Sequence, residues 1–187
     1  DIATLYEIWC FIEVSHIVKE QLGLGNDDVE HRNRMEMNGA FTWELGKGEH
    51  SRILFRKDGV ELAELVYNPK HTEKDNVHGI GNLYVPTVPQ KPDIVLQLTK
   101  DDVQKGMKMT YLFDAKYRID SRVNNVDTPP DDAINQMHRY RDAIYYKEYG
   151  KEILKKEVIG GYILFPGAGE KTDVEVAKFY NTIKDVN

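Results

Sequence analysis

Apolar positions in the first twenty residues recur with a helical period. In "ATLYEIWCFIEVSHIVKEQ" (residues 3–21), Leu5, Ile8, Trp9 and Ile12 stand three or four apart, with His16 next in line, and Gly23 and Gly25 follow as stop signals. The period then changes to two. "FTWEL" (41–45) reads as a strand, and "RILFRKDGVELAELVY" (52–67) as a hairpin turning at Asp58-Gly59. Residues 68–92 carry three prolines after Asn68-Pro69 and two spaced glycines, which predicts a long loop. Alternation resumes in "DIVLQL" (93–98) and "MKMTYLFDAKYR" (107–118), an antiparallel pair joined by "TKDDVQKG". A second helix is predicted behind Thr128 as N-cap, with Pro129 at its first position and Asp131 at capping-box spacing. It should run to Glu148 or Tyr149, where Gly150 ends it. "EVIGGYILFP" (157–166) reads as a buried strand, and the tail from Lys171 as a last helix. This order predicts a mixed α/β domain around a central sheet.

Size and charge narrow the function. The 187 residues suit one domain with a real core, and no apolar run reaches membrane-spanning length. The chain starts at Asp1 without a methionine, which points to a domain taken from a longer protein. One cysteine, Cys10, excludes a disulfide framework or a cysteine-ligated metal within one chain, and makes the cytoplasm the expected compartment. The formal net charge of −6 argues against binding nucleic acid through a bulk positive field. It leaves room for a nucleic-acid enzyme, because a carboxylate-rich metal site is itself acidic. His31, His50, His71 and His78 lack metal-ligand spacing and read as surface or loop residues.

The candidate chemistry sits on the strand at 107–118. Side chains alternate faces, so Leu112, Asp114, Lys116 and Arg118 point one way and Tyr111, Phe113, Ala115 and Tyr117 the other. Asp114 and Lys116 are then roughly 6–7 Å apart by strand rise. Asp93 opens the partner strand directly after Pro92, and a neighbouring strand lies about 4.8 Å away. Two carboxylates at that distance repel each other unless a positive group joins them, and a hard divalent cation is the usual solution. With a lysine beside them, these are the parts of a phosphodiester hydrolase. An Asp-x-Lys triplet alone is common on strands; its weight here comes from Pro92-Asp93 before it and Gln136 and Tyr140 after it. Gln136 and Tyr140 share a helical stripe with Ala133, Met137 and Ala143, so both should face the sheet.

Pro92-Asp93, a spacer of 20 residues, then Asp114-Ala115-Lys116 resembles the signature of the PD-(D/E)XK nuclease superfamily. "LYEIWCFIEV", "YNP", "KPDIVL", "FDAKYR" and "INQMHRYRDAI" extend the likeness to the nuclease domains of McrC-like restriction proteins over residues 3–166. The resemblance implies a restriction-endonuclease-like core, a mixed sheet flanked by helices. It implies Asp93 and Asp114 as metal ligands, the Ala115 carbonyl as a third oxygen, and Lys116 as the residue that orients or activates water. Glu7 would complete the metal site, and Gln136 and Tyr140 would stand near it or near the DNA backbone. The cofactor implied is Mg2+, with Mn2+ as substitute.

Plainer roles exist for some of these residues. Glu7 also reads as a helix acid favoured by the dipole, and Gln136 with Tyr140 as a hydrogen-bonded packing pair. Arg118 and Arg122, just past the strand, are placed to touch a DNA backbone. His138, Arg139 and Arg141 are interrupted by Asp142 and read as a solvated face. The expectation is an endodeoxyribonuclease domain acting in restriction or defence, with a separate recognition domain or partner subunit and no membrane association. The alternative is a catalytically inactive DNA-binding or assembly module, and the same site would also serve an RNA- or junction-directed nuclease.

Overall fold

The computed structural model describes residues 1–33, 35–37, 43–46, 51–71, 83–100, 107–118, 122–123, 126–147, 154–156 and 158–166. Helix α1 (Ile2–Gln21) is followed by β1 (Val29–Asn33), β2 (Met35–Met37), β3 (Trp43–Leu45), β4 (Ser51–Lys57) and β5 (Val60–Tyr67). Then come β6 (Leu83–Tyr84), β7 (Ile94–Lys100), β8 (Met107–Ala115), β9 (Arg122–Val123) and β10 (Val126–Asp127). Helix α2 (Asp131–Ala143), β11 (Tyr145–Lys147), β12 (Leu154–Lys155) and β13 (Val158–Leu164) complete the order. The central sheet runs β1-β4-β5-β7-β8-β13. It is antiparallel from β1 to β8, and β13 joins parallel to β8. This is the mixed sheet with flanking helices that the sequence predicts.

Both faces of the sheet are covered, which explains why β5 and β7 read as nearly unbroken apolar runs. On one face, Cys10, Phe11, Val14 and Val18 of α1 share a core with Ile53, Phe55, Leu65, Tyr67, Ile94 and Leu96. On the other, Met137 and Tyr140 of α2 share a core with Val66, Val95 and Leu112. The β4–β5 turn has Asp58 at φ 51° and Gly59 at φ 79°, the two left-handed residues of a type I′ hairpin.

Several boundaries differ from the expectation. The sequence reading missed β1, whose polar "VEHRN" carries little apolar signal and pairs at the sheet edge with β4. "FTWEL" contributes β3, but it pairs with β2 outside the central sheet; residues 41–42 lie outside the described residues. The predicted loop 68–92 contains β6 and a His71–Gln90 bridge. His71 is fully buried rather than at the surface, and burial pulls its pKa down to about 4. His31 is exposed, whereas His50 and His78 lie outside the described residues.

Helix α2 starts later and stops earlier than predicted. Its N-cap is Pro130 with no side-chain cap bond. A residue before proline is pushed out of the helical region, so Pro129 cannot open a helix that continues through Pro130. At the other end Ile144 is extended (φ −92°, ψ 127°) and fully buried, and Tyr145–Lys147 leave to pair with β6 and β12. The predicted end at Glu148–Gly150 and the tail helix from Lys171 lie outside the described residues. β13 is a half-exposed edge strand, not a buried one; Ile159 and Tyr162 face solvent.

Helix α2 crosses β13 over Gly161, where a Cβ would meet Met137 Sδ at 2.5 Å and Cγ at 2.8 Å. Gly161→Val is therefore expected to cost about 1–3 kcal/mol of stability in urea unfolding. In a Met137→Ala background the same change should cost less, the signature of a direct contact. Equal costs in both backgrounds would remove this account of how α2 is seated.

Candidate active site

The β7–β8 register creates the site. Ile94 pairs with Phe113, so Asp93, one residue before β7, stands opposite Asp114. Two backbone contacts hold Asp93: its carbonyl accepts the Asn68 N–H at 2.6 Å, and its Oδ2 accepts the Ala115 N–H at 2.7 Å. Asp114 is fully buried on β8, opposite Ile163 of the parallel strand β13. Regular strand ends at Ala115, yet the Lys116 N–H donates to Leu164 O at 2.8 Å, which carries the alternation one residue further. Lys116 thus falls on the face of Asp114, as expected. Its Nζ lies 2.8 Å from Asp114 Oδ2 and 3.9 Å from Asp93 Oδ2.

One ammonium therefore serves two carboxylates, the buried Asp114 and the partly buried Asp93. Burial, and then repulsion from Asp114, push the Asp93 carboxyl up to about 7, against the pull of the Ala115 N–H and Lys116. Asp114 is also raised, chiefly by burial, with Lys116 opposing. Asp114 Oδ1 is buried and has no hydrogen-bond partner among the described residues. A buried anionic oxygen without a partner is costly. Two carboxylates that resist ionising together, one with such an oxygen, are a donor set that fits a hard divalent cation. Among the described residues no group of three His, Cys, Asp or Glu side chains comes together; a cation at this pair would take its remaining ligands from backbone, water or substrate oxygens.

Glu7 lies on the inner face of α1, in the helical stripe of Phe11, Val14 and Val18. Its Oε2 accepts from the Tyr67 hydroxyl at 3.3 Å and from Asn68 Nδ2 at 3.5 Å. It is close enough to raise Asp93 slightly, but it does not join the acid pair in one cluster. Burial keeps the Tyr67 hydroxyl protonated, its pKa pushed up to about 12. The sequence reading did not single out Asn68 as a site residue. Its φ of 49° is one that asparagine tolerates, and from there its N–H holds Asp93 while its amide reaches Glu7. An Asn-Pro step closing an apolar strand was the available signal.

On α2, Gln136 Nε2 donates to the Tyr140 hydroxyl, which donates in turn to Lys91 O at 2.8 Å. Both side chains face the sheet, as the stripe predicts. Tyr140 is only 5% exposed, and its hydroxyl bond to the Lys91 carbonyl ties α2 to the Lys91-Pro92-Asp93 segment. Arg118 forms an ion pair with Asp132 at the start of α2, and both are well exposed. Arg122 lies on β9, and its side chain is outside the described residues. His138, Arg139 and Arg141 are exposed, the solvated face expected.

The raised Asp93 pKa gives a signed expectation for the metal-free protein. The folded state holds a proton up to pH about 7 that the unfolded chain releases from an ordinary value near 3.8. This contribution to stability is full below the ordinary value and is lost as pH rises through about 7. Melting temperature measured against pH in EDTA should therefore fall more steeply for the wild type than for Asp93→Asn. Parallel curves would contradict the electrostatics of the pair.

The PD-(D/E)XK nuclease superfamily is the description of the family model that matches residues 4–170. No curated protein and no solved structure gave a match. The matched span runs from the first turn of α1 past the end of β13, and the mixed six-stranded sheet between two helices is the architecture such a match requires. On that span and that sheet, the chain belongs to the PD-(D/E)XK nuclease superfamily.

Proposed function

We propose that this domain hydrolyses DNA phosphodiester bonds with Mg2+, and that Mn2+ can replace it. The observation that carries the reading is the meeting of Asp93, Asp114 and Lys116 at one end of the β7–β8 pair. Asp93, Asp114 and the Ala115 carbonyl would hold the cation, with Glu7 available to a second ion or to a ligating water. The bound cation would lower the pKa of a water and offset charge on the phosphate. Lys116, freed from neutralising Asp114, would steer the attacking oxygen and stabilise the negative charge that builds on the non-bridging phosphoryl oxygens. Its position 2.8 Å from Asp114 and partial exposure suit a group that must turn towards substrate.

Gln136 and Tyr140 are positioning residues in this scheme, since they act on Asp93 through the Lys91 carbonyl. Arg118 would exchange Asp132 for a backbone phosphate, and Arg122 would add a second contact. The net charge of −6 supports a separate recognition domain or partner subunit as the source of target affinity. The resemblance of its motifs to those of McrC-like restriction proteins supports a role against foreign DNA inside the cell.

The test is nicking of supercoiled plasmid at stoichiometric enzyme with Mg2+, Mn2+ or EDTA. Cleavage is expected with either cation and not with EDTA, and Lys116→Ala should slow it by about 100-fold or more. Cleavage that survives EDTA or the substitution would contradict the proposal. The absence of cleavage with either cation would favour the inactive binding module.

A further inference from the structure

Helix α1 is apolar on two opposite faces. Cys10, Phe11, Val14 and Val18 pack on the sheet. Ile2, Leu5, Trp9 and Ile12 lie on the far side, 59%, 66%, 54% and 43% exposed. At 3.6 residues per turn these four, with His16 and Lys19, form one narrow stripe directly opposite the buried one. Their spacing alternates three and four, the seam of a helix that packs on another helix. An apolar stripe of this kind is normally buried against another element, and nothing among the described residues covers it. Trp9 is fixed there by its stack on Tyr6, with ring centroids 5.7 Å apart.

We infer that a second copy of this chain covers the stripe, with its own α1 lying antiparallel. Two features of the helix select this occupant. The first is area: at about 200 Å² per large apolar side chain, the four residues leave about 400 Å² open. The His16 ring and Lys19 stem bring a pair of copies to about 1,000 Å², the size at which a specific interface becomes plausible. The second is charge. An antiparallel pair sets Trp9 against Ile12 of the second copy, Leu5 against its His16 and Ile2 against its Lys19. Asp1, the N-cap of α1, then meets the Lys19 end of the other helix, and the two helix dipoles oppose. A parallel pair would set Asp1 against Asp1 and His16 against His16. This arrangement is independent of the nuclease chemistry, because the stripe faces away from the sheet.

Sedimentation of the full chain tests it, with a readout that needs no activity. The wild type should pass from monomer to dimer in the micromolar range. Leu5→Glu and Trp9→Glu should each weaken the dimer by about tenfold or more, with the far-UV circular dichroism unchanged because both side chains are exposed. Register is tested by disulfide trapping: Leu5→Cys combined with His16→Cys should cross-link two copies, whereas Leu5→Cys alone should not. A wild type that stays monomeric at several hundred micromolar overturns the inference, as does a dimer indifferent to both charged variants. Cross-linking through Leu5→Cys alone overturns the antiparallel arrangement.

Discussion

The pairing register between β7 and β8 is the constraint on which the site depends. Strand registers cannot drift by one residue when both faces are buried, because every side chain would change faces. Ile94 and Leu96 are committed to the α1 core, and Val95 and Leu112 to the α2 core. The position opposite Asp93 is thereby fixed as Asp114. Apolar packing over the length of the hairpin supplies the energy that holds two carboxylates together against their repulsion. The acid pair is stable as a consequence of the core, not as a contributor to it.

Around that pair, the flanking elements act mainly on Asp93. Asn68, at the end of β5, holds its carbonyl, and the Ala115 N–H holds its carboxylate. Tyr140 of α2 holds the carbonyl of Lys91 two residues upstream. Three elements distant in sequence thus converge on a residue that lies just outside its strand. Lys116 is restrained less, by a backbone bond to β13 and an ion pair to Asp114. Under the proposed function, Asp93 would be the clamped ligand, and the less restrained Lys116 would be the group that follows a reacting phosphate.

Much of this was legible in the sequence, and the remainder failed for identifiable reasons. Period-two alternation located both hairpins, and the period of 3.6 located α1 almost to the residue. The same alternation put Lys116 on the face of Asp114, although the regular strand stops at Ala115. The polar strand β1 carried no apolar signal to read. The end of α2 was hidden because "IYYK" (144–147) continues the helical run by local preference, and only tertiary pairing with β6 and burial of Ile144 draw Tyr145–Lys147 into strand. The partner of the Tyr140 hydroxyl could not be read from sequence, because the carbonyl of Lys91 lies 49 residues away. The Asn68-Pro69 step marked only the end of a strand; the role of Asn68 at the site rests on a left-handed backbone and two long-range bonds.

The central claim is that the Asp93–Asp114 pair is a divalent-cation site. The most direct measurement is calorimetric titration of the metal-free protein with Mn2+ near neutral pH, beside Asp93→Asn and Asp114→Asn. The account predicts saturable binding by the wild type, with proton release that varies with the buffer's ionisation enthalpy because Asp93 must ionise. Each substitution should abolish that binding while the protein stays folded. Wild-type binding of the same affinity in both variants, or no binding at all, would contradict it.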